Sequence, residues 1–119
     1  MIQKNSYLIP ADKCGVWWVK VFHIYKGSFK KIGFIGDFVK VSVKSTRPQN
    51  WLSKKTKLKG MLIRLKKEKI KIDGTFVRFK YNNIILFKKR TTPMGKEVYG
   101  PVLKDLKRKK FIKSFPGII

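Results

Sequence analysis

Asp73-Gly74 stands between two runs of alternating character and constrains the chain more than any other dipeptide in it. Upstream lie Gly60-Met61-Leu62-Ile63 and the lysine-dense Lys66-Lys67-Glu68-Lys69-Ile70-Lys71. Downstream lie Phe76-Val77-Arg78-Phe79 and Ile84-Ile85-Leu86-Phe87. Asp-Gly in this setting is the strongest short-range hairpin signal, because a type I′ turn needs positive φ at both central residues. A two-residue loop predicts Ile72 opposite Thr75, Ile70 opposite Val77 and Glu68 opposite Phe79. Since side chains alternate along a strand, Ile70, Ile72, Val77 and Phe79 are expected on one face. Lys69, Lys71, Phe76, Arg78 and Lys80 are expected on the other. The pair reads as strands pressed between a protein interior and a polyanion.

The charge of the whole chain supports that partner. Thirty Lys and Arg against six Asp and Glu leave a formal net charge of +24 over 119 residues, spread along the sequence. Such a charge destabilises a compact state standing alone, so stability in place is expected to draw on a polyanion. A hydrophobic share of 43% is too high for a disordered basic tail. The length suits one domain, residues 1–119. Nucleic acid is favoured over a membrane surface, because no lysine-bearing amphipathic helix of the membrane-reading kind is evident. Uncharged stretches are far shorter than a membrane span needs. Cys14 is the only cysteine and His23 the only histidine, which excludes an internal disulfide and a zinc cluster. Met1-Ile2-Gln3-Lys4 shows neither a secretory nor a transit pattern, so the chain reads as made where it works or already processed. A preference for Lys over Arg, with much Ile and Phe, is what an AT-rich genome encodes, as in an organelle or a reduced bacterium.

In chain order, Tyr7 to Ala11 is expected as a first strand, stopped by Pro10 and by Asp12-Lys13-Cys14-Gly15. Val16 to Tyr25 is apolar or aromatic on both faces, which suits a closed barrel or a strand covered by a partner. Trp17 and Trp18 read as ordinary packing, favoured over base stacking, and His23 as a core or rim residue. Lys26 to Gly33 forms a loop whose glycines and lysines suit a phosphate contact. After Gly36-Asp37, Val39, Val41 and Val43 alternate with Lys40, Ser42 and Lys44 in the cleanest amphipathic strand of the chain. Thr46 to Lys57 is a loop carrying Trp51 and Lys54-Lys55-Thr56-Lys57. Beyond the hairpin, Thr91 to Gly95 is a second loop, and Val98 to Val102 is a short strand and turn. Leu103 to Phe111 has helical spacing, and Pro116-Gly117 is expected to end regular structure.

Catalysis needs an acid-base pair, an activated nucleophile or a metal. The carboxylates Asp37 and Asp73 are accounted for by turns, and nothing places His23 beside Ser28 or Cys14. The chain therefore reads as a binding protein and not an enzyme, with no cofactor and no metal. A free OB-type barrel that stacks single-stranded RNA on exposed Phe76, Trp17 or Trp51 is the rival binding class.

The ordered motifs resemble the universal L-14 family of large-subunit ribosomal proteins, that is, protein fourteen of that subunit. The likeness rests on Met1-Ile2-Gln3, Ala11-Asp12, Gly15, Lys20-Val21, Gly27-Ser28, Gly36-Asp37 and Lys44. It continues through Gly60 with three apolar residues, Arg64, Lys66-Lys67, Asp73-Gly74, Phe79, Asn82 and Ile85-Leu86. It ends with Gly95, Gly100-Pro101-Val102, Leu106 and Phe111-Ile112-Lys113. The resemblance implies an all-β fold: a small closed barrel of about five strands, with a projecting β-hairpin and a short C-terminal helical region. It implies binding to large-subunit rRNA beside large-subunit ribosomal proteins three and nineteen, and contact with small-subunit rRNA across the intersubunit bridge. It places Gly95, Lys96, Glu97 and Lys113 on the intersubunit face, where silencing or anti-association factors dock. Lys96-Glu97 replaces the small polar residue and arginine usual in bacteria, and Trp51 replaces a usual lysine. The location implied is the ribosome, of a mitochondrial matrix for an organelle-encoded chain, with bacterial cytoplasm and plastid as alternatives. The residues expected on phosphate are Lys30, Lys31, Lys44, Lys54, Lys55, Lys66, Lys67, Lys69, Lys71 and Arg78.

Overall fold

Val39, Val41 and Val43 are all fully buried, and the strand they define, β3 (Phe38–Thr46), is the middle of a sheet that curls shut. The computed structural model of the chain describes residues 2–12, 15–25, 31–48, 56–89, 92–93, 98–103 and 116–118. β1 (Tyr7–Pro10) pairs antiparallel with β2 (Val16–Ile24), β2 with β3, and β3 with β4 (Lys57–Arg64). β4 pairs antiparallel with β7 (Asn83–Lys89), and β7 returns to β1 in parallel through Ile9↔Asn83 and Pro10↔Ile84. That last pairing closes a five-stranded barrel. The described residues are all-β, as expected.

Leu8, Val19, Val21, Ile24, Leu62, Ile84 and Leu86 join the β3 valines inside the barrel. A second apolar cluster lies outside the wall: Ala11, Met61, Ile63, Ile85, Phe87 and Val102, with Phe38 and Val98 against it. β4 and β7 are therefore apolar on both faces because one face meets the barrel interior and the other meets the segment from Val98 to Leu103. Tyr99 N–H donates to Ala11 O at 2.7 Å and fastens that segment.

Gly60 pairs with Leu86 where β4 runs beside β7. A Cβ there would stand 2.5 Å from Ile84 Cδ1 and 2.8 Å from the Ile85 carbonyl oxygen. Because one of the two obstacles is backbone, Gly60→Ala is expected to lose about 1–3 kcal/mol by overpacking. Urea unfolding followed by circular dichroism checks this, and an unchanged midpoint would rule it out.

The hairpin forms, but not in the expected register. β5 (Lys69–Ile70) and β6 (Phe76–Val77) pair as Lys69↔Val77 and Ile70↔Phe76 in a sheet of their own. Only Gly74 has positive φ in the turn, at 90°, so it is not type I′. Gly74 N–H donates to Lys71 O at 3.0 Å, and Lys71 N–H donates to Thr75 O at 2.8 Å. That is a three-residue loop, Ile72-Asp73-Gly74, with glycine at the bulge position. Asp73 Oδ1 accepts from Thr75 Oγ1 at 2.7 Å and from Thr75 N–H at 3.1 Å, which stabilises the shape locally. Those bonds hold the Asp73 carboxyl below its ordinary pKa. Their contribution is therefore present above the ordinary carboxylate range and is lost as pH falls through the lowered value.

One extra loop residue moves the pairing by one, and a one-residue slip exchanges faces. Ile70 faces the same way as Phe76 instead of Val77, and both are exposed. Ile72 at the tip is 99% exposed. Lys69, Lys71, Val77 and Phe79 are the half-buried residues. The assignment of Ile70, Ile72, Val77 and Phe79 to one face is thus corrected: Val77 and Phe79 are half-buried, while Ile70 and Ile72 are exposed.

Two further expectations change. Thr92–Pro93 forms a short edge strand, β8, on β7, where a loop was expected; an edge is where proline is tolerated in a sheet. Gly117–Ile118 forms β10 and pairs in parallel with β9 (Pro101–Val102), so Pro116-Gly117 does not end regular structure. Proline stops a helix, yet its φ is compatible with entry into a strand. Apart from the fully buried Leu103, the helix expected over Leu103–Phe111 lies outside the described residues.

Candidate nucleic-acid interface

Lys66, Lys67 and Arg78 are exposed on the hairpin, with Lys69 and Lys71 half-buried beside them. The root is tied to the barrel by Asn82 Oδ1, which accepts from Lys66 N–H at 2.8 Å, and by Phe79 N–H donating to Leu65 O at 3.2 Å. Lys44 is exposed on β3, and Lys31 lies beside the bridge that joins Ile2 to Gly33. The fold thus gathers five of the expected phosphate contacts on one projection and leaves two on the barrel. Lys30, Lys54, Lys55, Gly95, Lys96, Glu97 and Lys113 lie outside the described residues, as do Cys14, Trp51 and most of the Lys26–Gly33 loop.

The barrel wall carries a second basic surface, one that sequence reasoning missed. Pairing sets Tyr7, Lys20, Ser42 and Lys57 in one row across β1 to β4. His23, Lys40 and Lys59 make the next. Lysines and rings touch along these rows. Lys20 Nζ is 5.6 Å from the Tyr7 ring centre and Lys57 Nζ is 5.9 Å from that of Phe22. Lys59 Nζ is 5.1 Å from Tyr25 and 4.7 Å from Phe38. The alternation of Lys40, Ser42 and Lys44 was visible in the sequence. What was not visible was that Lys57 and Lys59 begin β4 and stand beside them.

Arg64, grouped by sequence with Lys66-Lys67, has a different role. It is 7% exposed, and its guanidinium donates to Tyr99 O at 2.7 Å, Pro101 O at 3.3 Å and Asn83 Oδ1 at 3.0 Å. Burial pulls its pKa below the ordinary arginine value. Asn83 Nδ2 in turn donates to Ile9 O at 3.1 Å. This arginine clamps the C-terminal segment to the barrel seam and is not a free phosphate contact.

Trp17 and Trp18 were expected in ordinary packing, with base stacking as the alternative, and His23 in the core or at its rim. All three are exposed. His23 meets Tyr25 edge-to-face, with ring centres 4.8 Å apart. The exposed aromatics named for the rival RNA-stacking barrel, Trp17 and Phe76, are both open to solvent but belong to different sheets.

Comparison with known proteins bears on this geometry directly. The family model described as ribosomal protein L14p/L23e matches residues 1–116. The large ribosomal subunit protein uL14m of Tetrahymena pyriformis is 56% identical over 119 residues, covering the whole of both chains.

Proposed function

Because the chain belongs to the ribosomal protein L14p/L23e family, we propose that it is built into the large subunit of a mitochondrial ribosome as one rRNA-binding barrel. Its role is structural and not enzymatic, and its partners are rRNA and other ribosomal proteins. The observation that carries the mitochondrial reading is the end-to-end likeness to uL14m. The mechanism is charge neutralisation by a rigid body. Lys31, Lys44, Lys66, Lys67, Lys69, Lys71 and Arg78 act as phosphate contacts that position RNA helices with little base reading, and Lys30, Lys54 and Lys55 extend that set.

At a finer level, we place large-subunit proteins three and nineteen as its neighbours, small-subunit rRNA across the bridge, and Gly95, Lys96, Glu97 and Lys113 at the intersubunit face. Glu97 opposes a base on its own silencing factor, so a bacterial factor is expected to bind poorly and to improve with Glu97→Arg. Equal binding of the bacterial factor to both proteins would remove Glu97 from the contact.

The deciding experiment for the whole reading is sedimentation of a mitochondrial lysate through a sucrose gradient at high salt. Co-migration with the large subunit is expected. Recovery at the top of the gradient, with free protein, would overturn it.

A further inference from the structure

The barrel wall exposes aromatic rings that neither the core nor phosphate neutralisation accounts for. In β2, Val16, Val19, Val21 and Ile24 point inside, which leaves two consecutive outward residues at 17–18 and again at 22–23. The register supplies the reason. Val16 pairs with Thr46, Trp18 with Ser45 and Val19 with Val43, so the skipped Trp17 on β2 is matched by the skipped Lys44 on β3 and the register is irregular there without a net insertion. Val21 pairs with Val41, His23 with Lys40 and Ile24 with Val39, so Phe22 is an extra residue on β2. A bulge inserts a residue and re-aims side chains at that point. Here the insertion at Phe22 and the irregularity at Trp17-Trp18 leave aromatic rings outside while the buried valines and isoleucine keep their places. Tyr7 is 56% and Trp17 50% exposed, with Trp18, Phe22 and Tyr25 open beside them. A cluster of open rings on this scale marks a binding surface.

The surroundings select the partner. Lys20, Lys57 and Lys59 stand over Tyr7, Phe22 and Tyr25, and Lys40 lies between them on β3. β1, β2, β3 and β4 contain no carboxylate. The core of a protein–protein interface is depleted of lysine, whereas here lysines alternate with the rings. Cations interleaved with open aromatic faces suit unpaired nucleotides, whose bases stack while their phosphates are neutralised. We propose that the outer wall formed by β1 to β4 is a stacking platform for unpaired RNA nucleotides, with Tyr7, Phe22 and Tyr25 under the bases and Lys20, Lys40, Lys57 and Lys59 on the phosphates. Trp17 and Trp18 extend it toward Lys44. The proposal rests on the rRNA-binding reading and adds to it a preference for single strands.

The test uses the purified full chain, a twelve-nucleotide oligouridylate and a twelve-base-pair RNA duplex as probes, read by fluorescence anisotropy at one salt concentration. Phe22→Leu is expected to weaken oligouridylate binding by roughly tenfold, the loss of one stacked base. The triple change Tyr7→Leu, Phe22→Leu and Tyr25→Leu is expected to weaken it by more than about a hundredfold. Duplex binding should stay within about twofold of wild type, since it rests on phosphates. Circular dichroism reports whether the triple variant folds, and the single exposed Phe22→Leu decides the matter if it does not. Equal weakening of both probes, or of neither, overturns the stacking platform while leaving rRNA binding intact. A wild-type chain that binds neither RNA overturns the rRNA-binding reading itself.

Discussion

Raising monovalent salt from about 0.05 to about 0.2 M is expected to weaken binding of the purified protein to a large-subunit rRNA fragment by three to four orders of magnitude, on the order of 5 kcal/mol. The magnitude follows from counterion release. Each neutralised phosphate contributes a slope of about −0.7 for single strands and −0.9 for duplex in log affinity against log salt, so about eight contacts give roughly −6 to −7. A chain of net charge +24 whose exposed cations include Lys31, Lys44, Lys57, Lys59, Lys66, Lys67 and Arg78 can supply that many. Removing three of them, by Lys66→Gln, Lys67→Gln and Arg78→Gln, is expected to flatten the slope by about 2 to 3 and to leave the fold unchanged, because all three side chains are exposed. Isothermal titration over a salt series measures both quantities. A wild-type slope shallower than about −2 would show that phosphate contacts do not dominate.

The second large effect is expected at Arg64, where a cation in this very basic chain serves the fold. Arg64→Leu fills much of the same space but withdraws the donors that reach Tyr99 O, Pro101 O and Asn83 Oδ1. Each acceptor left unsatisfied costs about 1–3 kcal/mol, so a total loss of about 4 kcal/mol is expected. Arg64→Lys should recover only part of it, since an ammonium lacks the planar fork that spans several acceptors. Gly100→Ala approaches the same clamp from the other side. Gly100 has φ of 75°, and a Cβ there would collide with Arg64 Nη1 and stand 2.9 Å from Cζ, so a loss of about 1–3 kcal/mol is expected from strain alone. Urea unfolding gives the energies. Amide exchange at Tyr99, whose N–H is held by Ala11 O, reports whether the C-terminal segment has come away. A loss below about 1 kcal/mol for Arg64→Leu, or unchanged exchange at Tyr99, would refute the clamp.

Features set by neighbours along the chain were legible without a structure. The alternation of Val39, Val41 and Val43 with Lys40, Ser42 and Lys44 expresses the two-residue period of a strand, and those valines are buried in the barrel. Gly36-Asp37 and Gly74 announced turns, and both glycines have positive φ. The charge indicated a polyanion, and the ordered motifs from Met1 to Lys113 pointed to the family that the whole-length match establishes. The hairpin was foreseen in place but not in register. Asp-Gly is compatible with a two-residue loop as well as with a three-residue one, and the local sequence does not choose between them.

The parts that remained hidden depend on which strands meet. Asn83 and Ile9 are 74 residues apart, yet their bond and the parallel pairing beside it close the barrel. Closure turns Arg64 from one more basic residue into the clamp at the seam. The bulge at Phe22 and the irregular pairing at Trp17-Trp18 exist only relative to β3, because register is defined by the strand a residue pairs with or skips. From sequence, an apolar run with both faces filled is equally a buried strand or an open aromatic one. The hydrogen-bond register between β2 and β3 decides the matter, and it turns Trp17, Trp18 and Phe22 outward.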